Sequence, residues 1–149
     1  MTEKNRAFPW VIEKRVLPQH TDHAGVMWHG AYISFLEEAR VDALAQVGLK
    51  YSDMSSLGFE MPVVSIKLNY LNPLRHGERF VLESWLLPSK GIRFSWQSNF
   101  LRDDKTLIAK ANIDLVLVNH NGEKFQILRH FPDQISKAIL SLQNGPGTK

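Results

Sequence analysis

The chain has 149 residues, of which 44% are hydrophobic, as is typical of one soluble domain with a single core. The lysines and arginines behind its net charge of +3 are dispersed, so no charge block indicates a nucleic-acid partner. The absence of cysteine excludes disulfides and thiolate chemistry, and no apolar run approaches the roughly 18 residues that span a bilayer. The sequence therefore predicts a soluble, cytoplasmic protein with one domain over residues 1–149 and a flexible tail from about residue 144.

The first half of the chain predicts one strand followed by one long helix. Residues 10–19 (WVIEKRVLPQ) are rich in β-branched residues and predict the strand, and residues 20–25 have the composition of a turn. A helical period follows, with apolar residues at steps of three and four, and Gly48 is well placed to end the helix. The residues that carry this period are Tyr32, Phe35, Leu36, Ala39, Ala43 and Val47.

The second half changes to a period of two, which is typical of strands. Asn121-Gly122 is a hairpin signal before the last strand, and a short amphipathic helix follows Pro132. This order predicts an α+β fold in which one long helix covers part of an antiparallel sheet, and we expect the uncovered part to contact a partner chain. The predicted strands are residues 62–71, 79–87, 92–101, 107–118 and 124–128.

The most unusual stretch, residues 20–32 (HTDHAGVMWHGAY), joins the first strand to the long helix, where loops often carry function. Asp22 is a turn or capping residue on one interpretation, and a general base or nucleophile on the other. His29 is a surface or capping residue, or else its backbone N–H and that of Gly30 hold an oxyanion at the helix start. Gly25 and Gly30 suit a positive φ or a close backbone approach.

Other chemistries fit this stretch less well. His20, His23 and His29, together with Asp22, offer ligands for a metal, but their spacing matches no standard metal motif. The serines lack the G-x-S-x-G context of a serine hydrolase, and no glycine-rich phosphate loop is present. The sequence therefore favours carboxylate chemistry without a metal.

Residues 20–40 (HTDHAGVMWHGAYISFLEEAR) resemble the signature of 4-hydroxybenzoyl-CoA thioesterase-like proteins, a hotdog-fold family that includes bacterial acyl-CoA thioesterases. Residues 62–70 (PVVSIKLNY) resemble the strand that follows the helix in this family, and residues 72–77 (NPLRHG) resemble the next turn. Phe131-Pro132 also fits, so the resemblance covers nearly the whole chain. The matching positions of the signature are Asp22, Gly25, His29, Tyr32, Glu37, Ala39 and Arg40.

The resemblance implies a sheet wrapped around one long central helix, in a homodimer or a tetramer of two dimers with the active site between subunits. It implies that Asp22 is the catalytic carboxylate and that His29 supplies the oxyanion-binding N–H and a further catalytic side chain. No metal or organic cofactor is implied, because coenzyme A is part of the substrate. His20 replaces an acidic residue of many relatives, and Pro18 replaces a tyrosine that assists the aspartate in the acyl-CoA branch. The implied site is therefore a pair of residues, Asp22 and His29.

The same resemblance implies where coenzyme A binds. It places Ser65 near the pantetheine arm and the turn residues Lys90 and Arg93 near the phosphates, which attract cations; an ordinary solvated hairpin tip is the other interpretation of this turn. We therefore expect an acyl-CoA thioesterase that acts on an aromatic, short-chain or medium-chain acyl group. The alternatives are a hotdog hydratase, faintly suggested by HFP at residues 130–132, and a subunit that binds an acyl thioester without turnover.

Overall fold

A computed structural model describes residues 6–89, 91–121 and 123–147, which form eight strands and three α-helices. The predicted α+β class is confirmed. Within the described ranges, no helix is both long enough and apolar enough to cross a membrane. The strands are β1 (Trp10–Arg15), β2 (Phe59–Glu60), β3 (Val63–Tyr70), β4 (Arg79–Leu86), β5 (Arg93–Arg102), β6 (Leu107–Val116), β7 (Val118–Asn121) and β8 (Lys124–Ile127). The helices are α1 (His29–Gln46), α2 (Tyr51–Ser56) and α3 (Asp133–Asn144).

The main sheet has the strand order β1-β4-β5-β6-β3, and all of its neighbours are antiparallel. Strands β4 and β5 alternate between buried and half-buried positions, which explains the period of two in their sequences. Their buried side chains face α1 and form the centre of the core. Among them, the rings of Phe80 and Phe100 lie 5.8 Å apart, and Phe35 of α1 meets Phe80 edge to face at 5.0 Å.

The 18 residues of α1 form the longest helix, and its buried side chains recur at steps of three and four residues. Gly48 follows the helix with φ of +81°, a left-handed conformation that ends helices and that glycine adopts at little cost. The helix packs against β1 and β4, and both α2 and α3 contact it. The buried residues of α1 are Ala31, Tyr32, Phe35, Leu36, Ala39, Ala43 and Leu44.

Besides the long helix α1, the described residues contain the shorter helices α2 and α3, and the central position predicted for the long helix stays a prediction. The strand predicted over residues 107–118 is divided at Leu117, whose carbonyl accepts the N–H of Leu128 at 2.9 Å, so that β7 leaves the main sheet and joins β2 and β8. Asn144, near which the predicted tail starts, is the last residue of α3.

Strand β3 is the edge of the main sheet, because it pairs with β6 on one side and with no other described strand. Its residues Val63, Ile66 and Tyr70 pair with buried residues of β6 and so point toward the helical side, but they remain 39%, 41% and 49% exposed. Leu68, between them in the same row, is half-buried. An apolar row at an unpaired edge is a template for another strand.

Candidate active site

The residues between the 3₁₀ turn Pro18–His20 and α1 form a closed loop. The N–H of Trp28 donates to the carbonyl of His20 at 3.0 Å, and the N–H of Asp22 donates to the carbonyl of Val26 at 2.9 Å. The turn inside these two bonds requires φ of +78° at Gly25, as glycine readily allows. This geometry confirms the expected positive φ at Gly25 and puts Asp22 two residues along the loop from the His20–Trp28 bond at the start of α1.

The Asp22 side chain stabilises its own turn. Its Oδ1 accepts the N–H of Ala24 at 2.8 Å and, more weakly, that of Val26 at 3.4 Å. Oδ2 has no hydrogen-bond partner in the described part of the chain, and the residue is exposed. The turn role that the sequence left open is therefore present, and one carboxylate oxygen remains available for a ligand.

The loop is fixed to the turn between β3 and β4. The N–H of Met27 donates to the carbonyl of Leu74 at 2.7 Å, and the N–H of His76 donates to the carbonyl of Gly25 at 3.0 Å. On the other side, Nδ1 of His20 accepts the N–H of Leu17 at 3.0 Å. These bonds hold the loop without help from a ligand, and they give His20 a structural role.

At the start of α1, two backbone N–H groups are open. Those of His29 and Gly30 have no acceptor among the described residues, and Trp28, at the N-cap position, makes no side-chain capping bond. Unpaired N–H groups at this end of an 18-residue helix, together with the helix dipole, favour a negative charge. The arrangement can therefore hold an anion or an oxyanion.

A surface cavity of about 320 Å³ opens beside His29. One wall is the aromatic pair Tyr32 and Tyr70, whose rings meet edge to face at 5.0 Å. The Tyr70 hydroxyl donates to the carbonyl of His29 at 3.0 Å, and burial raises the pKa of Tyr32 to about 12, so its phenol stays neutral near pH 7. Tyr70 was not predicted as a site residue, although it ends the alternating row of β3. The lining residues are Met27, His29, Tyr32, Tyr70, Leu71, Asn72 and Pro73.

The residues predicted to bind coenzyme A lie elsewhere on the chain. Ser65 is opposite Asp114 in the pairing of β3 with β6, five positions along β3 from Tyr70. Arg93 at the start of β5 forms an ion pair with Asp114 at 3.3 Å, so its charge is already partly neutralised. Lys90 lies outside the described residues. Within one chain, the structure brings Ser65 and Arg93 toward each other but not toward Asp22.

The structure also bears on two alternative interpretations of the sequence. The described residues contain no cluster of three or more His, Asp or Glu side chains arranged to hold a metal. In the HFP segment, the Phe131 ring packs 5.1 Å from that of Phe94, while His130 is exposed. Packing of Phe131 thus gives this segment a structural role.

Comparison with known proteins identifies the family. The model of the Thioesterase-like superfamily matches residues 16–139. One relative is a protein of Synechocystis sp. (strain PCC 6803) that is provisionally named an esterase. It is 33% identical to this chain over 133 residues, which cover 89% of this chain and 79% of the relative. YneP of Bacillus subtilis (strain 168), provisionally named an acyl-CoA thioesterase, is 30% identical over 114 residues, 76% of this chain and 83% of YneP.

Solved structures agree on the fold. Slr0204 of Synechocystis, a 1,4-dihydroxy-2-naphthoyl-CoA thioesterase, matches 89% of this chain and 96% of its own length, with a TM-score of 0.78 and 23% identity. This likeness confirms the expected hotdog architecture. The predicted enzyme class, a thioester hydrolase, is confirmed at the level of the family by the family model and the two relatives. The chain belongs to the Thioesterase-like superfamily.

Proposed function

We propose that the protein hydrolyses the thioester of an acyl-CoA, with Asp22 as general base or nucleophile and the N–H groups of His29 and Gly30 as the oxyanion site. The observation that carries this proposal is the loop that joins the Asp22 carboxylate to the open start of α1. One oxygen of that carboxylate is fixed in a turn and the other is available, so the group is oriented before substrate arrives. The family membership and the provisional name of YneP support the reaction class.

The chemistry follows from these groups. As a base, Asp22 takes a proton from water while the water oxygen attacks the thioester carbonyl. As a nucleophile, it forms an acyl anhydride that water then cleaves. In both cases, negative charge develops on the carbonyl oxygen, where the N–H groups of His29 and Gly30 stabilise it, and the C–S bond breaks to release coenzyme A as a thiolate. The thiolate takes its proton from Asp22 in the first case and from water in the second. The products are a carboxylic acid and the free thiol.

We also propose that α1 acts as the central helix of a two-fold dimer formed through β3. An isologous, antiparallel pairing of this strand with its copy would cover the row of Val63, Ile66 and Tyr70. It would also put the start of one β3 beside the end of the other. The partner's Ser65 then comes closer to His29 than the Ser65 of the same chain, which supports an active site between subunits.

A second cavity supports this arrangement. It measures about 460 Å³ and lies at the start of β3, beside Pro62, with mainly apolar walls that include Tyr51, Val118 and the 63% exposed Phe125. In the proposed dimer, this cavity of one subunit faces the His29 end of the other. The end of the acyl group farthest from the carbonyl at His29 would then reach an apolar space of the partner. Aromatic, short-chain and medium-chain acyl groups all suit such a space.

The catalytic role of Asp22 is tested with Asp22→Asn and Asp22→Ala. Because the chain has no cysteine, a thiol reagent reports only the coenzyme A that a panel of acyl-CoAs releases. We expect Asp22→Asn to lower kcat/KM by roughly 10²–10⁴, since the amide oxygen still accepts the turn N–H groups but the charge is lost. Asp22→Ala also loses the turn bonds, at about 1–2 kcal/mol of stability.

Asp103→Asn is the matched control, because Asp103 is an exposed turn carboxylate that has no hydrogen-bond or ion-pair partner in the described part of the chain. It should keep the parent activity and melting temperature. Parent-like kcat/KM for Asp22→Asn would remove Asp22 from the mechanism. A melting temperature for Asp22→Asn as low as that of Asp22→Ala would show that the turn, rather than the charge, had been lost.

The dimer is tested with Ile66→Lys, which puts a charge into the apolar row of β3. We expect the molar mass in light scattering to fall to that of one chain and the thioesterase activity to fall with it. Leu140→Lys on α3 is the control, because Leu140 is 58% exposed but lies away from the sheet edge. An unchanged mass for Ile66→Lys would exclude pairing through β3.

A further inference from the structure

Trp28 has an unusual position at the start of α1. It is the N-cap residue and 43% exposed, and its indole meets the His29 ring edge to face, with centroids 5.3 Å apart and an angle of 75°. The six-membered part of the indole lies against Gly30, where a Cβ atom would overlap it. The ring is therefore seated in a space that exists because residue 30 is glycine.

Both local choices weaken the helix start. Tryptophan offers no oxygen to cap the first N–H groups, unlike the serine, threonine, aspartate or asparagine that usually occupies this position. Glycine in the first turn adds a backbone entropy cost. Tryptophan at residue 28 and glycine at residue 30 are both unfavourable for the helix, yet together they hold one exposed ring beside the open N–H groups. Such a combination is typical of a functional position rather than a structural one.

We propose that the Trp28 indole is a wall of the acyl subsite and that it selects planar, conjugated acyl groups. This inference rests on the proposed function, in which the thioester carbonyl binds at the N–H groups of His29 and Gly30. An aromatic acyl group has its ring directly on that carbonyl, and Trp28 is the neighbour of His29, so the two rings come into range of stacking. Saturated acyl groups fill the same space without a π face.

Gly30 is the residue that maintains this wall. In Gly30→Ala, the new methyl group takes the space of the indole, and the ring must turn away. The variant thus displaces the aromatic wall without removing it. Its effect on acyl preference should therefore resemble that of losing the ring.

The test compares benzoyl-CoA with cyclohexanecarbonyl-CoA, whose six-membered rings differ in planarity. Between the parent and Trp28→Leu, we expect the ratio of kcat/KM for benzoyl-CoA to that for cyclohexanecarbonyl-CoA to fall roughly three- to tenfold. Trp28→Phe should retain most of the preference, and Gly30→Ala should lower the ratio. Phe8→Leu is the matched control, because Phe8 is 54% exposed and precedes β1, at the end of that strand opposite the Asp22 loop.

An unchanged ratio in Trp28→Leu, or an equal loss with both thioesters, would overturn the inference. If the parent turned over no acyl-CoA, the proposed function itself would have failed. The inference is then judged by calorimetric titration of benzoyl-CoA and cyclohexanecarbonyl-CoA into Asp22→Asn and into Asp22→Asn/Trp28→Leu. Stacking predicts that the loss of Trp28 weakens benzoyl-CoA binding several-fold more than cyclohexanecarbonyl-CoA binding, and equal weakening would contradict it.

Discussion

Replacing His29 by proline tests the oxyanion site directly. His29 is the first residue of α1, and the helix begins with a bond from the N–H of Ala31 to the carbonyl of Trp28 at 3.0 Å, so the N–H of His29 is not needed for folding. Proline removes this N–H at the helix position that accepts it most readily. Trp28 already has φ of −75° and ψ of 151°, the extended conformation that a following proline requires.

The expected loss follows from the removal of one oxyanion donor, about 2.7–4 kcal/mol or a factor of roughly 10²–10³ in kcat. His29→Ala keeps the N–H and removes the imidazole, so the difference between the two variants isolates the backbone contribution. Thiol release at saturating acyl-CoA measures kcat, and thermal unfolding by circular dichroism measures stability. We expect the melting temperatures of both variants to stay within about 4 °C of the parent.

The control is Asp133→Pro, because Asp133 is the first residue of α3, as His29 is of α1. The residue before it, Pro132, is also extended, with φ of −55° and ψ of 149°. It should leave kcat unchanged. If His29→Pro were as active as His29→Ala, the N–H of His29 would have no part in stabilising the transition state. The oxyanion site would then have to be sought away from this residue.

Two further predictions concern stability. Ser84 and Ser98 share a buried hydrogen bond of 2.8 Å between their hydroxyls. Replacing either serine by alanine should lower the free energy of unfolding in urea by about 1–3 kcal/mol, and the double variant should lose less than the sum of the two. Additive losses would contradict a direct bond between the two hydroxyls. Hydroxyls of Ser55 and Tyr51 hold the pKa of Glu60 below its ordinary 4.5. This contribution is fully present above pH 4.5 and is lost as the pH falls through the lowered pKa of Glu60. The variant Ser55→Ala/Tyr51→Phe should therefore melt below the parent at pH 7, and the difference should close once the carboxylate is protonated. A difference that persisted with the carboxyl group protonated would not come from the ionised carboxylate.

The regular elements were predictable from the sequence because their period is set by contact with one core. The buried face of β5, with Phe94, Trp96 and Phe100, and the end of α1 before Gly48 are both where the sequence predicts them. The strand predicted over residues 10–19 ends early, at Arg15, because Pro18 opens a 3₁₀ turn. Such endings depend on local backbone geometry that a hydrophobic period does not contain.

The candidate site was predictable only in part. Asp22 and His29 stood out because polar residues cluster between a strand and a helix, but the turn role of the Asp22 carboxylate is a property of the closed loop. The hydrogen bond from Tyr70 to the His29 carbonyl joins residues far apart in sequence, and the packing of Trp28 on Gly30 depends on one rotamer. Neither leaves a periodic signal in the sequence.

The position of β3 in the sheet also has a consequence for synthesis on the ribosome. Its partner within the chain is β6, which begins at Leu107, so translation must add roughly 40 residues after Tyr70 before the strand can pair. At roughly 5–20 residues per second, the apolar row of β3 waits for several seconds without a partner on either side. An unpaired apolar strand favours aggregation during that interval, and the one charge within the strand, on Lys67, opposes it.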